Sequence, residues 1–479
     1  MNSKLIVAIK NSLAGKFITY FIQFGALAIY ARVFTPEQFG IIASVQVFMI
    51  FFQMLADVGI GPAIINQKRY SNKARDGVFT LTFMIGAVLA IGFYLFTYAL
   101  NYFYDNYSYQ DLGKVLGTSI FFYTICTVPL TSFNKDSKFM KIAFYDAVSE
   151  VISLILVLVM LYLNFGILAL ACKNLFQAVS RFTLLYYGAT KTSLGRPLIG
   201  PDIHLVKDII GFAAYQFGFN FINYFSRNLD NILVAKFYGV NFLGIYDKAY
   251  QLMQYPLLVT TFGLSRAIQP ILTKFNSDVE FILKEHNRLT ERLLFISVLM
   301  SVFIYTNANN IVYTILGAQW ESVVPVIKVF CFMIPIQSVL STSGSFFQVL
   351  NATKLLFIAG VISALFNVLA ISIGVYMGKL EYIALMLVFS FSINFLISYF
   401  ILFNYCFNSS VISFYMRMFK IVTVALIPSL LYIFIATYFI DLLPVNKLFN
   451  LALNSMMAIL SLGICYTIVK CFNLLKGRV

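Results

Sequence analysis

The chain has 479 residues, of which 60% are hydrophobic and only 11% are charged. A water-soluble domain carries about 25% charged residues, so this composition excludes a soluble fold and requires lipid as the main solvent. The net charge of +15 would suggest nucleic acid in a soluble chain; here it is read as the basic bias of cytoplasmic loops, and no nucleic-acid partner is expected.

A crossing helix needs about 20 mostly apolar residues. Taken in chain order, the apolar runs predict fourteen spans, at 13–33, 41–61, 78–100, 112–133, 146–164, 167–187, 208–237, 242–272, 289–309, 323–349, 357–377, 381–404, 419–440 and 448–469. The first run is too long for a signal peptide and has no small-residue cleavage site, so it reads as span 1. It carries Lys16 in its cytoplasmic half and Arg32 at its outer end. Each side chain either snorkels to the nearer headgroups or meets an anionic ligand, and for Lys16 that ligand would be a phosphate entering from the inner leaflet. Span 2 ends at Asp57, before Gly59, Gly61 and Pro62, which read as hinge or helix-end positions. Span 6 places Lys173 and Arg181 two turns apart on one face, with Asn174 and Gln177 beside them, a stripe that suits a cavity better than lipid.

Span 7 is the densest in polar groups, with Asn223, Tyr224, Arg227, Asp230 and Lys236. Arg227 precedes Lys236 by nine residues, which places it roughly 13 Å deeper. Asp230 follows Arg227 at i+3 and can pair with it. The two form either a neutral structural pair or a cationic site whose charge Asp230 tunes; ionisable groups inside spans mark functional pathways by default. The amides and tyrosines of this span can bind sugar hydroxyls or bond helix to helix.

Basic residues gather on alternate connections, including Lys68, Arg69, Lys73 and Arg75; Lys135, Lys138 and Lys141; and Lys274, Lys284, Arg288 and Arg292. The intervening connections, such as Asn164–Gly166, are nearly bare of them. This alternation puts both termini in the cytoplasm and requires an even number of spans. A repeat runs through the same pattern: Ala31, Gly40, Ile41, Gly59, Ala63 and Ile64 recur 204 residues later as Ala235, Gly244, Ile245, Gly263, Ala267 and Ile268. The expected fold is an all-α polytopic membrane protein with two parallel six-helix lobes, 1–195 and 196–410, and an extra C-terminal helix pair in 411–479. The Gly- and Pro-bearing stretch Thr190–Lys207 would link the lobes.

Motifs for chemistry are missing from the sequence. The six cysteines form no CxxC pair, the two histidines (His204 and His286) fall in predicted cytoplasmic loops, and no phosphate-binding loop occurs. Neither enzyme activity nor a metal or other cofactor is expected.

The run Arg227-Asn228-Leu229-Asp230-Asn231-Ile232-Leu233-Val234-Ala235-Lys236-Phe237-Tyr238-Gly239, continued by Leu243-Gly244-Ile245-Tyr246 and Ala249-Tyr250-Gln251-Leu252, resembles the polysaccharide transporter family of lipid-linked oligosaccharide flippases (Wzx-type). So does Phe34-Thr35-Pro36-Glu37-Gln38-Phe39-Gly40, with Leu55-Ala56-Asp57-Val58-Gly59 after it. That family lies in the multidrug/oligosaccharidyl-lipid/polysaccharide exporter superfamily. The resemblance implies two six-helix lobes that rock around a cavity and carry undecaprenyl-pyrophosphate-linked sugar repeats across the bacterial inner membrane. It also implies coupling to a proton or sodium gradient, contact with membrane lipids, and work beside a polysaccharide polymerase and a chain-length regulator. In the second repeat Gly239-Val240 replaces Thr35-Pro36.

Two rival readings have specific requirements. A drug or cation exporter of the same superfamily needs acidic groups deep in a lobe, and from sequence only Asp230 is clearly deep. A membrane polymerase needs a large outer loop, and the connection near 101–111 is short.

Overall fold

The computed structural model describes residues 3–56, 72–104, 107–201, 221, 224–275, 278–440 and 447–476. Among these residues there is no strand; a helix satisfies its own backbone groups without water, as lipid demands. The first helices are α1 (Ser3–Val33), α2 (Pro36–Ala56), α3 (Asn72–Tyr104), α4 (Gln110–Ile125), α5 (Thr127–Lys135), α6 (Phe139–Tyr162) and α7 (Ile167–Gly188). Helical residues 224–238 form α8. Next come α9 (Val240–Leu272), α10 (Val279–Thr306), α11 (Ala308–Ile315), α12 (Val323–Cys331) and α13 (Met333–Val349). The last four are α14 (Thr353–Tyr376), α15 (Leu380–Ile401), α16 (Val411–Ile440) and α17 (Lys447–Lys476).

A helix stands at each predicted apolar run, with span 7 described only from 221. Among the described residues eight helices are long and apolar enough to cross a membrane, or nine if the bent pair α12–α13 is one span. Their outward faces are apolar too. On α14, Phe357, Val361, Leu365, Leu369 and Ile373 recur every fourth residue and are all exposed. Such a stripe is tolerable only against lipid, and the chain is a multi-pass membrane protein.

Prolines set the bends. The α12–α13 pair turns by 52°, and Pro335 has no N–H to offer the Cys331 carbonyl one turn earlier. The Ser301 hydroxyl of α10 donates to that carbonyl instead, at 2.6 Å. Pro129 lies in the first turn of α5, just past Cys126, where α4 passes into α5.

The Thr-Pro-Glu-Gln run read as a family motif has a local physical role. Thr35 Oγ1 accepts the Gln38 N–H at 3.3 Å, while Gln38 Oε1 accepts the Thr35 N–H at 3.0 Å. This reciprocal cap starts α2, with Pro36 at the first helical position where a missing N–H costs nothing. The second repeat starts α9 differently: Gly239 holds φ +92°, a value that a side chain disfavours, and its carbonyl accepts the Leu243 N–H at 3.2 Å.

The chain divides into two compact units, Met1–Gly244 and Ile245–Val479. The division falls in the first turns of α9. In the first unit Gly40 lies against the Val240 backbone, and Gly244 lies against the Pro36 carbonyl. Positions 36 and 240 are equivalents in the repeat, as are 40 and 244, so this close helix crossing is reciprocal.

The linker expected at Thr190–Lys207 is docked where it is described. Leu198 N donates to Asp76 Oδ1 at 2.9 Å, Gly200 N donates to Thr80 Oγ1 at 2.9 Å, and Arg75 Nη1 donates to the Leu194 carbonyl. Arg75, read from sequence as a loop cation, is therefore buried in the first turn of α3. At the end of α5, Asp136 accepts from Lys138 Nζ at 2.6 Å, from Ser193 N at 2.9 Å and from the Ser193 hydroxyl. Burial alone would push the Asp136 carboxyl up, but these donors outweigh it and hold it below the usual carboxylate range. A lowered carboxyl contributes stability above its unfolded-state pKa and loses it as pH falls through the folded one. Protection of the 191–200 backbone against hydrogen exchange should thus weaken as the medium is acidified below the ordinary carboxylate range. In Asp136→Asn that acid-dependent step should be absent.

In the second unit α10 packs on α13 and α16. His286, expected in a loop, lies in α10 and is fully buried among Phe346, Tyr399, Phe403, Phe407 and Phe414. The C-terminal helix pair is tied down by polar groups: Asn307 Nδ2 donates to the Tyr432 hydroxyl at 2.6 Å, and Arg417 lies 3.5 Å from Glu291. Lys447 sits 3.8 Å from the centre of the Tyr313 ring.

Candidate functional site

The best-defined polar site lies on the hairpin of α6 and α7. The chain reverses at Asn164 and Gly166, which hold φ +63° and +55°, conformations that suit asparagine and glycine. The reversal sets an antiparallel register in which 146 faces 181 and 150 faces 177. Along α6, Asp146 and Glu150 share a face at i, i+4; along α7, Lys173, Gln177 and Arg181 repeat the same spacing.

Arg181 Nε donates to Asp146 Oδ1 at 2.7 Å. One turn away, Gln177 Nε2 donates to Glu150 Oε2 at 2.6 Å, and Lys173 Nζ stands 3.6 Å from Glu150 Oε1. The Ser153 hydroxyl donates to the Lys173 carbonyl at 2.9 Å. Lys173 also lies 5.2 Å from the centre of the Tyr30 ring of α1, close enough for cation–π attraction. In the second pair the acid is the deeper partner: Glu150 is 1% exposed, whereas the Lys173 side chain is 31% exposed.

Lys173 and Arg181 therefore share one stripe, as their spacing suggests, but each faces a carboxylate. Sequence reading did not single out Asp146 and Glu150, although both fall within span 5 at 146–164. The signal was present: an acid pair at i, i+4 matches basic and amide positions across a tight hairpin.

In α8 the geometry separates Arg227 from Asp230. Arg227 is exposed and makes no ion pair among the described residues. Asp230 is 4% exposed, and its Oδ1 accepts the Asn231 N–H at 2.9 Å. The i+3 pairing expected from sequence does not form, because burying Asp230 turns the two side chains to different surroundings. Tyr224 spends its hydroxyl on the Val47 carbonyl at 2.5 Å, while Phe225 packs on Phe51. Lys236 donates to the Phe103 carbonyl at the end of α3 and lies 5.2 Å from the Phe103 ring centre, a place where the helix dipole favours a cation. Its repeat equivalent Arg32 is exposed. In the second unit, Lys248 Nζ reaches Asp247 Oδ2 at 2.9 Å and Gln251 Oε1 at 3.0 Å. Asp57, Gly59, Pro62 and Asn223 lie outside the described residues, as does the Lys16 side chain.

Comparison with known proteins gives this arrangement a family. A model of the polysaccharide biosynthesis protein family matches residues 29–325, more than half of the chain. Among curated relatives, the teichuronic acid biosynthesis protein TuaB of Bacillus subtilis is 23% identical over 62% of this chain and 61% of its own length. The chain thus spans under two thirds of that protein. The lipopolysaccharide biosynthesis protein WzxC of Escherichia coli is 22% identical over 80% of this chain and 78% of its own. The succinoglycan biosynthesis transport protein ExoT of Rhizobium meliloti is 20% identical over 77% and 74%. Among solved structures, lipid II flippase MurJ in an inward closed conformation matches with TM-score 0.76 at 15% identity, covering 97% of this chain and 99% of its own. An inward-facing multidrug resistance MATE family transporter matches with TM-score 0.62 at 13% identity, covering 86% and 98%. With the fold of these transporters and a family match across most of its first two thirds, the chain belongs to the polysaccharide biosynthesis protein family.

Proposed function

We propose that this protein is a flippase that moves undecaprenyl-pyrophosphate-linked oligosaccharide repeat units across the bacterial inner membrane by alternating access, for surface polysaccharide biosynthesis. The observation that carries this reading is Arg227, an exposed cation on an otherwise apolar helix with no ion pair among the described residues. Such a group costs a few kcal/mol inside a membrane unless it faces protein, water or an anion, and a pyrophosphate is a fitting anion. The relatives' names mention three chemically different glycans, so the family supports a lipid-linked carrier as the shared feature rather than one sugar.

In this reading both termini are cytoplasmic, fourteen spans form lobes 1–195 and 196–410 with a helix pair in 411–479, and the protein acts as a transporter rather than an enzyme. A proton or sodium gradient drives the lobes, and a polymerase with its chain-length regulator receives the product outside. Asp146 and Glu150 are acids of the kind a cation exporter requires, although only Glu150 is deeply buried. They do not favour that alternative, because each already faces a basic residue of this hairpin.

The test is deletion followed by measurement of lipid-linked sugars on each leaflet. Accumulation on the cytoplasmic leaflet, reversed by the native gene, is the expected result; an unchanged distribution would remove the proposal.

A further inference from the structure

The basic end of the α6–α7 hairpin carries cations that no acid answers. The register that pairs 146 with 181 sets 141 opposite 186, which brings Lys141 at the start of α6 beside Tyr186 and Tyr187 at the end of α7. Arg196, on the strap that follows α7, stands 4.8 Å from the centre of the Tyr186 ring and 5.6 Å from that of Tyr187. Tyr186 is itself braced, stacked on Phe79 at 6.0 Å and tilted against Phe182 at 5.2 Å. Cation–π attraction therefore holds the guanidinium in place while Arg196 stays exposed. Lys141 and Lys191 are exposed too, and none of these three cations makes an ion pair among the described residues. The described acids of this end are already engaged: Asp76 by Arg75 and the Leu198 N–H, Asp136 by Lys138 and the Ser193 N–H.

Large apolar side chains stand beside these charges. Met140 and Phe144, neighbours of Lys141 in α6, are exposed, and on the strap Leu198 is 53% and Ile199 73% exposed. The strap cannot fold these two aliphatics away, because its backbone is fixed on both sides of them. Leu198 N bonds to Asp76, and Gly200 donates its N–H to Thr80 Oγ1 and accepts the same hydroxyl at its carbonyl. Aliphatics held outward just past an exposed arginine have the chemistry of an interfacial anchor: they enter the acyl boundary while the cations stay at headgroup level. A free phosphate would satisfy the cations and leave the apolar groups in water. A zwitterionic lipid would cover the apolar groups but bring a positive charge of its own. An anionic phospholipid answers both demands.

We propose that the hairpin end and the strap 191–199 form a binding site for an anionic phospholipid, phosphatidylglycerol, of the leaflet on this side of the membrane. Arg196 takes the phosphodiester through its fork of N–H donors, Lys141 and Lys191 flank it, and Leu198 and Ile199 pack among the acyl chains. The site goes beyond the flippase reading and does not depend on it, since it requires only a multi-pass protein in a membrane. A bound headgroup covers the strap and slows the opening of its backbone hydrogen bonds.

The test uses full-length protein in nanodiscs of phosphatidylcholine with and without phosphatidylglycerol. Hydrogen exchange at 191–200 should slow when phosphatidylglycerol is present, and glycerophosphate added in excess to phosphatidylcholine discs should not slow it. Native mass spectrometry from mixed micelles should show retained phosphatidylglycerol. Each cation near an anionic leaflet is worth about fivefold in affinity, so the combined Lys141→Gln, Lys191→Gln and Arg196→Gln variant should bind this lipid about a hundredfold more weakly. Removing equal charge elsewhere, by Arg292→Gln, Lys354→Gln and Lys420→Gln together, should leave retention unchanged. Leu198→Ser with Ile199→Ser should weaken retention while the cations remain. Equal protection by phosphatidylcholine overturns the proposal, and so does retention that falls alike in both charge variants. Protection by glycerophosphate makes this a site for soluble phosphate and overturns it as well. The exchange measurement needs no variant, so a misfolded charge variant would not protect the proposal.

Discussion

Valine at Gly40 or at Gly244 is expected to remove the folded protein from the membrane. A Cβ at position 40 would overlap the Val240 carbonyl, and one at 244 would overlap the Pro36 carbonyl. Backbone cannot swing aside as a flexible side chain does, so the helices must separate. That forfeits the close approach on which small-residue crossings depend. Overpacking typically costs 1–3 kcal/mol, and a backbone clash belongs at or above about 3 kcal/mol. The same crossing brings the Gly40 and Gly244 amides together, so alanine at either position should already be harmful. Gly360 is the control: it lies in α14 with open space around it, and alanine there should be neutral or stabilising by up to about 1 kcal/mol. Thermal unfolding of detergent-solubilised protein, read beside its yield from membranes, checks this. If the valine variants melt with the native protein, the crossing is not the tight contact described.

The features legible in the sequence are those governed by one residue type or one period. Apolar runs placed helices because lipid admits no other use of them. The Thr-Pro-Glu-Gln run stood out as a family motif, and the 204-residue offset pointed to Gly40 and Gly244 as equivalents. What it could not show is that these glycines touch, since a repeat gives correspondence without distance. The ion pairs were hidden for a related reason. Lys173 and Arg181 stand out as charges in an apolar run, whereas Asp146 and Glu150, in the first turns of span 5, gain meaning only from the hairpin register. His286 was misplaced because α10 begins before its apolar stretch does: Asp278 caps the helix by accepting the Phe281 N–H at 2.9 Å. The long polar first turns then fold into an aromatic core that hydropathy does not detect.

Arg227→Ala is expected to cut export without unfolding the protein. The side chain is exposed and has no ion pair among the described residues, so its loss should change stability by no more than about 0.5 kcal/mol. If it holds a phosphoryl group, removing that charged hydrogen bond should weaken binding by about 1.5–3 kcal/mol, or roughly ten- to a hundredfold. Arg227→Lys should recover part of this, since it keeps the charge but loses the two-pronged donor geometry. Arg181→Ala should behave in the opposite way. It leaves Asp146 without its direct partner at 2.7 Å, so the melting temperature should fall before any effect on transport can be read. Breaking a fully buried pair costs about 3–5 kcal/mol; with both side chains about a quarter exposed, roughly 2 kcal/mol is the expected loss. Surface polysaccharide at matched protein levels, measured beside thermal unfolding, separates the two classes. Normal polysaccharide in Arg227→Ala would exclude that residue from the site and leave the α6–α7 hairpin as the place where phosphate is held.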